Sequence, residues 1–186
     1  MKSLLVLGGA RSGKSRHAQG RVEALPGSLA FIATAQSFDA EMEARIQKHR
    51  ADRSDRWHTI EAPFALADSI RAAATDHDAI LVDCLTLWLS NCLLADHDLD
   101  TASEALQAAI AACPVPIALV ANEVGLGIVP ENALARRFRD EAGRLNQAVA
   151  NAVEEAVFIA AGLPVTLKPA RKQGRADANP APCSMR

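Results

Sequence analysis

Gly8, Gly13, Lys14 and Ser15 stand at the spacing G-x-x-x-x-G-K-[ST] inside LLVLGGARSGKSRHAQ, directly after an apolar run and directly before a stretch of helical spacing. That context is what a phosphate-binding loop requires. Glycines let backbone N–H groups turn inward around phosphate oxygens, the lysine reaches the outer phosphates, and the serine hydroxyl serves magnesium. The positive end of the following helix completes the cradle. The plainer alternative is a chance glycine turn. At ordinary glycine usage the full pattern arises in a chain this long only on the order of once in a hundred sequences, so nucleotide binding is the reading adopted.

Two further stretches belong to the same chemistry. Asp83 closes the apolar run AILVD, where a carboxylate can hold hydrated magnesium opposite Ser15. The competing role is a cap for the next helix. Asn122 and Glu123 follow the run PIALVA and emerge at a strand's carboxyl end, the rim where open α/β sheets hold ligands. A simple turn is the other reading there. The Gly-x-Gly of EVGLGIVPEN lacks the third glycine of a dinucleotide fingerprint, and no N-K-x-D guanine reader is present, which disfavours a regulatory GTPase.

In EARIQKHRADR a single histidine lies among basic neighbours. On a helix turning about 100° per residue, Met42, Ile46 and His49 fall within about 60° of one another, so His49 shares the apolar stripe. Arg45 lies one turn earlier and Arg53 close by if the helix reaches that far. An inward imidazole flanked by guanidiniums suits attack on phosphorus, and nearby positive charge favours its neutral form. A core-edge histidine satisfied by a carbonyl has the same geometry, and geometry leaves both readings open.

The elements that must position these residues alternate. Strands are expected at 3–7, 29–33, 57–61, 79–82, 117–121, 156–160 and 165–167, with helices between them. The clearest helix covers 132–153, where Leu134, Phe138, Leu145, Val149 and Ala152 recur on one face. Such alternation predicts an α/β fold with a mostly parallel sheet covered by helices on both faces. A single domain over 1–168 is expected, followed by a Pro-, Ala- and charge-rich tail at 169–186, read as disordered or, alternatively, as a basic docking segment.

Composition bounds the rest. A length of 186 residues suits one domain, 49% hydrophobic content excludes a disordered chain, and a net charge of -2 gives no overall field for nucleic acid. Cys84, Cys92, Cys113 and Cys183 show no C-x-x-C spacing and no secretory leader is read, so neither a zinc site nor a disulfide framework is expected and the cytoplasm is the expected compartment. The run AILVDCLTLWLSNCLLA contains Asp83, Ser90 and Asn91 and resolves into strand, turn and buried helix, not a membrane span.

Taken in order, GGARSGKSRHAQ, FIATAQSFDAEMEARIQKHRADR, WHTIEAP, LVDCLTLWLSN and NEVGLGIVPENALARRFRDEAGRLNQ closely resemble the bifunctional adenosylcobinamide kinase / adenosylcobinamide-phosphate guanylyltransferase family of cobalamin biosynthesis, across about 4–168. The resemblance implies a RecA-like P-loop NTPase fold and a homotrimer. It implies phosphorylation of the aminopropanol arm of adenosylcobinamide by ATP or GTP, then GMP transfer from GTP to that phosphate through a guanylyl-histidine. Carried onto this sequence, His49 is the GMP carrier. The phosphate loop is Gly8, Gly9, Ala10, Arg11, Ser12, Gly13, Lys14 and Ser15, with Lys14 catalytic and Ser15 and Asp83 holding Mg2+. Further nucleotide contacts fall on Ala33, Thr34, Ala35, Arg50, Ala51, Asp52, Arg53, Glu61 and Asp83. A kinase without nucleotidyl transfer, and a nucleotide-binding subunit without turnover, are the two competing functions.

Overall fold

The computed structural model describes residues 1–36 and 54–170. His49 and the adjoining Arg50, Ala51, Asp52 and Arg53 lie outside the described residues, as does most of the expected tail.

Seven strands form one sheet: β1 (Ser3–Gly8), β2 (Leu29–Ala33), β3 (Trp57–Glu61), β4 (Ala79–Asp83), β5 (Ile117–Asn122), β6 (Glu155–Ala160) and β7 (Leu163–Lys168), in spatial order β3-β2-β4-β5-β1-β6-β7. Every pairing is parallel except β6 with β7. The described helices are α1 (Lys14–Glu23), α2 (Leu66–Asp76), α3 (Leu85–Leu94), α4 (Leu99–Ala112) and α5 (Ala133–Ala152).

The central strands are continuous apolar runs because both faces are covered. Successive residues of β1 divide between two cores. Leu4 and Val6 join Ala18 and Val22 of α1 on one side. Leu5 and Leu7 join Leu66 and Ile70 of α2, Leu89 of α3, Leu106 of α4 and Leu145 of α5 on the other. This is the α/β fold expected from the alternation of runs. All seven expected strands form, with ends displaced by at most two residues at β7.

Helix ends follow local chemistry. Asp98 caps α4 by accepting from the amides of Asp100 and Thr101, each at 3.1 Å. Asn132 caps α5 by accepting from Ala135 N at 3.1 Å. α1 has no side-chain cap; it starts from Gly13 at φ 96 and has no acidic residue in its first turn. Its positive end is therefore uncancelled by its own sequence.

β7 departs from two-sided burial. It turns back from β6 through Ala161 (φ 51) and Gly162 (φ 80), a positive-φ pair suited to a tight hairpin. Antiparallel at the sheet edge, it leaves Leu163, Val165 and Leu167 exposed. Among the described residues no helix is long and apolar enough to cross a membrane, and the run proposed as strand, turn and buried helix is β4 followed by α3.

Candidate active site

The carboxyl ends of β1, β2, β4 and β5 lie side by side because these strands are parallel neighbours in the order β2-β4-β5-β1. The loop that follows β1 is the sequence-predicted phosphate loop. Lys14 is 9% exposed and its ammonium donates to Gly9 O at 3.1 Å. Ser12 N donates to Gly9 O at 3.3 Å, and Arg11 has a φ of 55, so the loop doubles back tightly before α1. Ser15 is half-buried in the first turn of α1, while Ala10 and Arg11 are exposed.

The loop rests on the β6–β7 hairpin. Gly162 N donates to Ser12 O at 2.9 Å. A Cβ on Gly8 would stand 2.5 Å from Ser12 Oγ and 2.7 Å from Ile159 O, and one on Gly13 would meet Gly162 Cα at 3.4 Å. Gly8 is therefore required by packing under the loop, and Gly13 by its positive φ of 96, as well as by any ligand above them. This support was not foreseen, because the hairpin is some 150 residues away and no spacing rule connects them. Ser12 Oγ is buried in this corner with no protein partner.

Two strands across, Asp83 ends β4 half-buried and Cys84 follows through a cis peptide bond. Thr34 holds that junction. Its side chain is wholly buried, its hydroxyl donates to Cys84 O at 2.7 Å, and it accepts from Cys84 N at 2.8 Å. Thr34 N donates to Asp83 O at 3.3 Å, and Asn91 Nδ2 donates to Thr34 O at 2.8 Å and to Pro63 O at 3.1 Å. Thr34, expected among the nucleotide contacts, thus has its polar groups engaged in fastening β2 to β4. Ala33 and Ala35 flank it, both half-buried, and Glu61 ends β3 one strand further out, exposed. The sequence cue for Asn91 was available: it is the amide that interrupts the apolar run of α3.

Burial and the carboxylate of Asp83 push the Cys84 thiol up to about 11, with Lys14 acting the other way. At the end of β5, Asn122 N donates to Thr86 Oγ1 at 2.7 Å, Asn146 Nδ2 donates to Asn122 O at 3.3 Å, and Glu123 N donates to Gly8 O at 3.1 Å. The β5 rim, read from sequence either as a ligand rim or as a turn, is tied directly to the phosphate loop.

For magnesium the donor set has the right character. Ser15 and Asp83 supply hard oxygens, and among the described residues no cluster of three or more His, Cys, Asp or Glu could cage a metal by itself. Two protein oxygens completed by nucleotide phosphates and water is the arrangement Mg2+ favours.

Comparison with known proteins follows this geometry. Residues 4–167 match the model of the family described as cobinamide kinase / cobinamide phosphate guanyltransferase. The chain is 52% identical over 167 residues to the bifunctional adenosylcobalamin biosynthesis protein CobP of Pseudomonas aeruginosa, covering 88% of this chain and 96% of that one. It is 43% identical over 180 residues to the bifunctional adenosylcobalamin biosynthesis protein CobU of Salmonella typhimurium, covering 89% and 99%. A solved Pyrococcus horikoshii OT3 protein shares the fold at a TM-score of 0.54 and 8% identity, over 92% of this chain and 88% of that one. A phosphate loop at the carboxyl rim of a parallel sheet, inside a match running from β1 to β7, leads to one conclusion: the chain belongs to the cobinamide kinase / cobinamide phosphate guanyltransferase family.

Proposed function

We propose that the loop of Gly8, Gly9, Ala10, Arg11, Ser12, Gly13, Lys14 and Ser15 is the triphosphate cradle for both activities of this family, and that His49 carries GMP between them. The observation behind the first part is the buried Lys14 at the uncapped start of α1, set on a loop whose first glycine, Gly8, the β6–β7 hairpin leaves no room to replace. In the kinase step the hydroxyl of the aminopropanol arm of adenosylcobinamide attacks the γ-phosphorus of ATP or GTP, loses its proton, and the nucleoside diphosphate leaves. Lys14 and the loop amides take up negative charge on the transferring group. In the second step the neutral imidazole of His49 attacks the α-phosphorus of GTP. A phosphorus–nitrogen bond forms and pyrophosphate leaves. The phosphate of adenosylcobinamide phosphate then attacks that phosphorus, the phosphorus–nitrogen bond breaks, and His49 is restored.

Ser15 and Asp83 would hold Mg2+, which supplies charge neutralisation at the phosphates when bound. Ala33, Thr34, Ala35, Arg50, Ala51, Asp52, Arg53 and Glu61 are assigned to the nucleotide by family resemblance, Thr34 while also fastening β2 to β4. The same resemblance supports a homotrimer, for which light scattering should give three times the chain mass of 19.7 kDa. The buried, unpaired thiols of Cys84, Cys92 and Cys113 support a cytoplasmic enzyme.

The deciding experiment uses GTP labelled at the α-phosphorus, followed by denaturation. The unmodified protein retains label that mild acid releases and alkali does not. His49→Asn retains none, yet still phosphorylates adenosylcobinamide. Label persisting in His49→Asn would move the nucleophile elsewhere, with His17 or His58 the next residue to replace.

A further inference from the structure

Between Asn122 and the start of α5 at Ala133 the chain crosses the carboxyl rim, and it is fastened there to the residue that opens the phosphate loop by Glu123 N donating to Gly8 O at 3.1 Å. On this stretch Leu126, Ile128 and Val129 are 83%, 97% and 59% exposed. The chain on either side of them is fastened by polar contacts. Arg136 donates to Pro130 O at 2.9 Å and to Glu131 O at 2.5 Å, Asn132 accepts from Ala135 N at 3.1 Å, and the Glu123 carboxylate accepts from Gly125 N at 2.5 Å. Three large aliphatic side chains left in water on one short stretch, between two fastened flanks and beside the phosphate loop, mark a surface ridge that an apolar partner would cover.

We infer that this ridge seats the corrinoid: the apolar edge of the macrocycle rests on Leu126, Ile128 and Val129 while its aminopropanol arm reaches the phosphate loop. The inference rests on the kinase and guanylyltransferase reading of the adjoining site. A nucleotide has no need of an exposed aliphatic ridge beside its phosphates, whereas an acceptor with a large methyl-bearing ring does. Continuity supplies the rest. Ile128 is five residues from Glu123, at most about 18 Å of chain, so a ring seated on the ridge stays within arm's length of the loop to which Glu123 is tied.

The test is a Leu126→Ser/Ile128→Ser double variant beside Ile128→Met, which keeps the apolar surface. The double variant should raise the KM for adenosylcobinamide about tenfold or more, with kcat within about twofold. Its affinity for a non-hydrolysable GTP analogue and its mass by light scattering should match the parent, and Ile128→Met should behave as the parent in every assay. An unchanged KM overturns the inference. So does a changed assembly mass in the double variant, which would give the ridge to a second copy of the chain. If the double variant lacks a cooperative melt, Ile128→Thr alone carries the same comparison. Failure of the unmodified protein to phosphorylate adenosylcobinamide would instead overturn the parent reading, so the two failures are distinguishable.

Discussion

At the scale of single residues, Lys14 is the clearest test of a shared cradle. Lys14→Ala should lower both kinase and guanylyltransferase rates by at least about 10²-fold, and a variant with normal guanylylation would separate the two sites. A second residue-scale prediction concerns acid. Arg21 grips Glu155 through two hydrogen bonds, at 2.9 and 2.7 Å, joining α1 to β6, and this holds the Glu155 carboxyl below its ordinary value of 4.5. Burial, reinforced by the Arg21 charge, holds His17 below 6.5. Both groups resist protonation in the folded state. The His17 contribution is complete above pH 6.5 and is lost as pH falls through its lowered value; the Glu155 contribution is complete above 4.5 and is lost on further acidification. Melting temperature measured against pH should therefore decline in two stages. Glu155→Gln should remove the later stage and His17→Gln the earlier, and a profile unaltered by either would refute the assignment.

At the scale of elements, the two first glycines of the loop should separate cleanly. A Cβ on Gly8 meets Ser12 Oγ at 2.5 Å and the backbone of Ile159 at 2.7 Å, while one on Gly9 meets nothing within 4 Å. Gly8→Ala should lower stability by about 1–3 kcal/mol and abolish nucleotide binding, whereas Gly9→Ala should leave the melting temperature of the nucleotide-free protein unchanged. Calorimetry checks both. The strands, the α5 span and the motif with its flanking strand and helix were legible because local period and glycine spacing encode them. Two things were not. The hairpin beneath the loop is encoded by Ala161 and Gly162, whose turn is readable but whose target is a matter of sheet order. The Thr34–Cys84–Asn91 fastening depends on which strands become neighbours, which no spacing rule in the sequence encodes.

At the scale of the whole molecule, Lys168 ends β7 and clamps it to α5. Its ammonium donates to Ala150 O at 2.9 Å, to Asn151 O at 3.2 Å and to Val153 O, where a cation complements the carboxyl end of α5. Truncation after Lys168 should leave the melting temperature and both activities nearly unchanged, since the sequence beyond has no apolar periodicity with which to dock. Lys168→Ala should cost about 1–2 kcal/mol. A large loss on truncation would place the boundary further on. Composition was no guide to this clamp, which joins residues on two separate elements.

The position of Cys84 makes the enzyme its own chronometer. A thiol that is buried and pushed up to about 11 barely reacts with an alkylating reagent unless the β4 end opens. Its alkylation rate at fixed pH therefore counts openings of the carboxyl rim at the end of β4. Saturating nucleotide that binds only the closed form should slow that count by about a hundredfold at a ligand concentration a hundred times Kd. Cys113, buried at the far end of α4, should slow only if nucleotide steadies the whole fold. The ratio of the two rates would distinguish local closure from global stabilisation in an unlabelled, fully active protein.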